Sequence, residues 1–129
     1  MLLNDLTIDE HVQKAGEVIK EYYKDSKELK HLNRVFDDDF SAGILSTGYV
    51  IYTFESVIYC LKNTDNYKDA VLKAVNLGGD TDTIAGICGA LAGIYYGYDS
   101  IPSEWIEAIP KFKYVLKMCE EYEKVLEEF

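Results

Sequence analysis

Residues 76–93, NLGGDTDTIAGICGALAG, constrain the fold more than any other part of the chain. Two glycines, two aspartates and two threonines fill six consecutive positions, and an almost wholly apolar run follows. The most apolar part, residues 84–96, is 13 residues long, whereas a membrane span needs about 20. It therefore reads as a buried helix. Gly86, Gly89, Gly93 and Gly97 recur along one face of it. Each glycine costs a helix roughly 0.8–1 kcal/mol relative to alanine, so their number points to close approach by a neighbouring helix. Ile84, Ile87, Leu91 and Ile94 cover the other faces, and a helix apolar all round belongs at the centre of its domain.

The rest of the chain reads as helices around that centre. Thr7 and Glu10 form a capping box for a first helix running to about Tyr23. A short helical piece follows Ser26, and FDDDFSAG then interrupts the pattern as a loop. Helix resumes after Ser46 or Thr47, with Val50, Phe54, Val57, Ile58 and Leu61 at three- and four-residue spacing. Asp65 is the expected cap of the next helix, which turns Ala70, Val71, Ala74 and Val75 inward and ends at Gly78 and Gly79. Ser103 starts a short helix carrying Trp105, and a last helix is expected to bury Phe112, Val115, Leu116, Cys119, Tyr122 and Leu126. No segment alternates like a strand, and no repeat or low-complexity linker is present. The predicted fold is an all-α, multi-helix bundle forming one domain over residues 1–129.

Charge narrows the partners. With 13 basic against 23 acidic residues the net charge is -10, which argues against nucleic acid and anionic membrane, both of which are bound through clustered Lys and Arg. Cys60, Cys88 and Cys119 are widely spaced in apolar surroundings and read as reduced core residues. The opening MLLNDLTIDEH turns acidic too soon for a secretory leader, so the expected compartment is the cytoplasm. His11 and His31 lie among charged neighbours and read as surface residues.

The opening of the glycine-rich helix carries the chemistry. Asp80 and Asp82 are two positions apart, and on one regular helix their side chains would diverge by about 200°. They converge only if Asp80 lies in the loop, a geometry that Gly78 and Gly79 make available. Asp82 and Thr83 then occupy the first helical turn. Carboxylates and hydroxyls are hard ligands suited to Mg²⁺, Mn²⁺ or Ca²⁺. From the spacing alone, a redundantly capped helix and a metal loop both remain open.

STGYVIYTFESVIYCL, then YKDAVLKAVNLGGDTDTIAGICGALAGIYYG and IPSEW, resemble in order and spacing the C-terminal half of the ADP-ribosylglycohydrolase family. The likeness is strong over residues 45–105. It implies an all-α fold and hydrolysis of ADP-ribosyl bonds on protein side chains or related acceptors, with two divalent metal ions, Mg²⁺ or Mn²⁺. It also implies that Asp80, Asp82 and Thr83 are metal ligands. Gly78, Gly79 and the helix N-terminus would then present N–H groups to a diphosphate, and Tyr49 or Tyr96 would be the candidates to stack on adenine.

The family's other metal ligands come from an earlier T-D-D segment, and no counterpart precedes Leu45. The resemblance thus implies a chain truncated on its N-terminal side. Asp37, Asp38 and Asp39 lack the preceding threonine and read as a solvated loop. Tyr52 stands where relatives commonly carry aspartate, while Thr53 and Glu55 keep the pattern, Glu55 as a structural residue. Two functions follow as expectations. One is an ADP-ribosyl hydrolase whose site is completed by another segment. The other is a non-catalytic relative serving as an oligomerisation, partner-binding or nucleotide-binding module. In either case the apolar area of a half fold predicts a homo-oligomer or a complementing N-terminal half.

Overall fold

The computed structural model describes residues 6–27, 29–36, 40–41 and 43–127. Asp37, Asp38 and Asp39, expected to form a solvated loop, lie outside these residues. The described elements are helical: α1 (Ile8–Tyr22), α2 (Leu29–Phe36), α3 (Val50–Lys62), α4 (Tyr67–Val75), α5 (Thr81–Tyr96), a 3₁₀ turn (Tyr98–Ser100), α6 (Ser103–Glu107) and α7 (Phe112–Glu127). The all-α expectation holds. No described helix is long and apolar enough to cross a membrane.

Local chemistry sets the helix starts. At α1 the Thr7 N–H donates to Glu10 Oε2 at 2.7 Å and the Glu10 N–H donates to Thr7 Oγ1 at 3.3 Å, the reciprocal box read from the sequence. These bonds, led by the Thr7 backbone N–H, hold the Glu10 carboxyl below its usual pKa. At α4 the cap is Asn66, not Asp65. Its Oδ1 accepts the Asp69 N–H at 2.9 Å while its amide donates to Asp69 Oδ2 at 2.8 Å, a two-way lock available to an amide and not to a carboxylate. Helix α3 begins at Val50, later than Ser46 or Thr47, because that segment is bonded elsewhere. The Thr53 hydroxyl donates to Thr47 O at 3.1 Å, and Ser46 O accepts the Asp80 N–H at 3.0 Å.

The interior is built on α3, α4 and α5. Val57, Cys60 and Leu61 meet Ala70 and Ala74 on one side and Ile84, Cys88 and Ala92 on the other. Val12 of α1 and Val35 of α2 pack with Ile58 on another face of α3, and Ile8 touches both groups. Close approach at α5 is narrower than its glycines suggested. A Cβ on Gly89 would lie 3.3 Å from Tyr67 Oη and 3.6 Å from Val71 Cγ2, but one on Gly86 would meet nothing within 4 Å. Gly97 is not in the helix; with φ 84° it ends it, its N–H donating to Gly93 O.

Three expectations about burial fail. Helix α5 is not enclosed on all sides: Ile84, Cys88 and Ala92 are buried, yet Ile87, Leu91 and Ile94 are 42%, 37% and 47% exposed. Val75 and Val50 are exposed as well, so each of their helices turns one edge outward. Helix α7 buries no residue, and Val115, Leu116, Tyr122 and Leu126 are exposed. Cys119, on that helix, is exposed too, whereas Cys60 and Cys88 are core thiols as expected. On α3 and α4 the apolar spacing marks faces that are buried, at Val57, Ile58, Leu61, Ala70 and Ala74, whereas on α7 no face is buried. The described helices supply no cover for the apolar face of α7.

Candidate functional site

The loop before α5 is shaped by its two glycines. Gly78 and Gly79 take φ of 78° and 66°, in the left-handed region where side chains are disfavoured. Gly79 also lies directly against Ser46 O, so any Cβ would strike that carbonyl. Two hydrogen bonds close the seam between the loops: Asp80 N–H to Ser46 O at 3.0 Å, and the Ser46 hydroxyl to Leu77 O at 3.3 Å.

This seam fixes the Asp80 carboxylate. Asp80 is the N-cap residue of α5, but its side chain accepts no backbone N–H. Instead the Thr83 hydroxyl donates to Asp80 Oδ1 at 3.0 Å. The other oxygen, Oδ2, lies 3.1 Å from where a Cβ on Gly48 would stand, so a side chain at Gly48 would crowd it. Asp80 is half-buried, while Asp82 and Thr83 are exposed in the first turn of α5. The structure therefore joins Asp80, Thr83, Gly79 and the Ser46–Gly48 segment. Among the described residues no three His, Cys, Asp or Glu side chains gather at one point. The donors that Asp80, Asp82 and Thr83 offer are all hard oxygens, a set that suits Mg²⁺ or Mn²⁺.

Ser46 was read from sequence only as a helix start, and Gly48 not at all. The available signal was the S-x-G immediately before an apolar helix, where a glycine marks a close approach. Tyr49 follows Gly48 and is 51% exposed, its ring edge-on to Tyr52 at 5.2 Å. Both tyrosines line a depression of about 210 Å³ shared with Lys30, His31 and Glu55. Glu55 is only 1% exposed.

Tyr96, the other aromatic candidate, serves the interior. Its hydroxyl donates to Thr64 O at 3.2 Å, its ring packs on the core, and burial raises its pKa. Of the two histidines, His31 is exposed as expected, but His11 is half-buried. His11 Nδ1 donates to Thr7 O at 2.9 Å and its ring meets Tyr95 edge-on at 5.9 Å.

Known proteins are similar in sequence to this chain. The chain is 41% identical over 78 residues to the ADP-ribosylarginine hydrolase Tri1 of Serratia proteamaculans (strain 568), which covers 60% of this chain and 21% of that protein. It is 34% identical over 95 residues to the ADP-ribosyl-[dinitrogen reductase] glycohydrolase of Rhodospirillum rubrum, covering 74% and 32%. With the ADP-ribosylhydrolase ARH3 of Mus musculus it shares 29% identity over 120 residues, covering 80% and 32%. The match thus spans about a fifth to a third of the length of these curated relatives. No solved structure matches the chain significantly. The ADP-ribosylglycohydrolase family model matches residues 1–129, the whole sequence, and the chain belongs to that family.

Proposed function

We propose that the chain carries one side of the active site of a metal-dependent ADP-ribosyl hydrolase, the other side coming from a complementing N-terminal segment. The observation that supports this most is the state of Asp80. A carboxylate at a helix N-cap ordinarily accepts a backbone N–H. That of Asp80 does not, and is aligned through Thr83 beside the Ser46–Gly48 segment.

Asp80, Asp82 and Thr83 are the residues that would hold the ion. When bound, Mg²⁺ or Mn²⁺ supplies charge that positions the ribose hydroxyls and makes a water more acidic. The chain's own residues do the rest. The Asp80–Thr83 bond orients the carboxylate before any ligand arrives. The Gly79–Ser46 apposition and the Asp80 N–H bond to Ser46 O tie the loop that carries it to the segment before α3. Gly78 and Gly79 leave the loop open to a diphosphate, and Tyr49, above a depression that also carries Lys30 and His31, offers an aromatic face to the purine. In the net reaction water adds across the bond between the anomeric carbon and the acceptor, giving ADP-ribose and the protonated acceptor. The transition state resembles an oxocarbenium ion. Buried reduced thiols suit a cytoplasmic setting.

An apolar depression of about 310 Å³ among α1, α3 and α5, lined by Ile8, Val12, Phe54, Ile58, Leu91 and Ile94, is the proposed seat of the complementing segment. Catalytic groups that act as a unit lose nearly all their effect when one part is absent. The isolated chain is therefore expected to release no ADP-ribose above background from modified arginine or serine in millimolar Mg²⁺. Adding the N-terminal remainder of a relative should restore turnover that depends on Asp80 and Asp82. Calorimetry supplies a readout apart from activity: weak Mn²⁺ binding to the chain, lost in the double variant Asp80→Ala, Asp82→Ala. Equal Mn²⁺ binding by that variant would refute the ligand assignment. Failure of the remainder to restore turnover, with Mn²⁺ binding intact, would favour the non-catalytic reading.

A further inference from the structure

On the reading of Asp80 as an ion ligand, on which this rests, we infer that Gly48 is a positioning residue for that carboxylate: its missing side chain leaves Asp80 Oδ2 open to the ion. The usual physical demands for glycine do not account for it. Gly48 is not among the glycines with positive φ, so its backbone angles do not require the residue. It lies in the bend before α3, outside any helix, so no helix–helix approach requires it either. Its chain neighbours aside, a Cβ on Gly48 would meet Asp80 Oδ2 at 3.1 Å, Asp80 Cγ at 3.9 Å and nothing else within 4 Å. The space that glycine keeps clear is therefore the space beside one carboxylate oxygen.

Asp80 is not free to step aside. Its N–H donates to Ser46 O at 3.0 Å, and its Oδ1 accepts the Thr83 hydroxyl at 3.0 Å. With a side chain at Gly48, the carboxylate would either turn and give up the Thr83 bond, or stay and carry a methyl group against Oδ2, closer than ordinary van der Waals contact. A Mg²⁺ ion must come within about 2.0–2.1 Å of each ligand oxygen, so both outcomes weaken the oxygen that Thr83 leaves unused. Gly79, across the same seam, has a different task. Its φ is 66° and its Cβ would strike Ser46 O, so it shapes the backbone of the loop. Gly48 meets only the side chain, and substituting it separates the freedom of the carboxylate from the shape of the loop.

Two measurements on the full chain test this together. Calorimetry reads Mn²⁺ binding, and hydrogen exchange followed by NMR at the Asp80 N–H reads whether its bond to Ser46 O survives. Gly48→Ala should weaken Mn²⁺ binding about tenfold while Asp80 N–H exchange stays as slow as in the parent chain. Gly79→Ala should weaken the binding and speed the exchange. Mn²⁺ binding by Gly48→Ala as tight as the parent's would overturn the role of Gly48 and leave the ligand assignment standing. Faster Asp80 exchange in Gly48→Ala would also overturn it, because the glycine would then serve the backbone seam and not the carboxylate. A parent chain that binds no Mn²⁺ would instead remove the ligand assignment, and the role of Gly48 with it.

Discussion

Helices α5 and α7 are both 16 residues long and both carry apolar residues at helical spacing, yet one lies at the core and the other buries no residue. The difference lies in side-chain size. Gly89 and Gly93 on α5 let Tyr67 and Val71 of α4 come within van der Waals contact, so two backbones approach closely and Ile84, Cys88 and Ala92 are sealed. Helix α7 has no glycine or alanine, and apart from Cys119 its apolar face is Val, Leu, Met, Phe and Tyr. Its face suits a partner at ordinary coiled-coil distance. Apolar spacing identifies the face that needs cover, and residue size indicates how near the cover must come.

The sharpest way to break this comparison is to truncate one side chain on each helix. Ile84 is fully buried among Val57, Cys60 and Ala74, so Ile84→Ala should lower stability by about 3–4 kcal/mol through lost burial and the cavity left behind. Leu126→Ala, at a residue 56% exposed, should change stability by less than about 0.5 kcal/mol in dilute solution. Urea unfolding of both variants makes the test. Similar losses would mean that α7 is packed on the bundle after all.

Glycine substitutions sharpen it further, because they differ in sign. Gly79→Ala must place a Cβ against Ser46 O at φ 66°, so it should cost roughly 2–3 kcal/mol and release the Asp80 loop. Gly86→Ala meets nothing within 4 Å and should stabilise the isolated chain by up to about 1 kcal/mol. A destabilising Gly86→Ala would show that another body already covers that side of α5.

Much of this was legible in sequence because it was local. The Thr7–Glu10 box, the turn at Gly78–Gly79 and the position of Asp80 in the loop depend on residues within a few positions of one another. What was not legible depends on distant segments. Ser46 and Asp80 are far apart in the chain, and only the fold reveals that Ser46 O takes the Asp80 N–H, delaying α3 to Val50. Asn66 displaced Asp65 as a cap because a neighbouring amide offers two-way bonding, a contest that composition does not decide. The exposure of α7 and of the outer side of α5 was missed for a third reason. Spacing was read as burial, whereas it reports only the demand for burial.

The smallest effect at neutral pH is carried by the thiols, which report on both regions at once. Cys60 and Cys88 are fully buried, and burial raises their pKa from 9.0 to about 11 and about 12. Lys73 pulls Cys60 slightly the other way, and Cys60 adds to the rise at Cys88. Cys119 on α7 is exposed. In native protein a maleimide should therefore modify Cys119 promptly, and the other two only at the rate of opening. The pH dependence follows from the raised values. Below about pH 8.5 folded and unfolded chains both keep their thiol protons, and the contribution to stability is fully present. Between there and about pH 12 the unfolded chain releases protons that the folded chain retains, so stability falls as pH rises. Tyr67 and Tyr96, also raised by burial, add to the fall in the same direction. Urea midpoints that decline steadily from pH 8 to pH 11, and decline less in a Cys88→Ala variant, are the expected result. A flat profile, or three thiols that label at one rate, would mean that the α3–α5 seam is open to water.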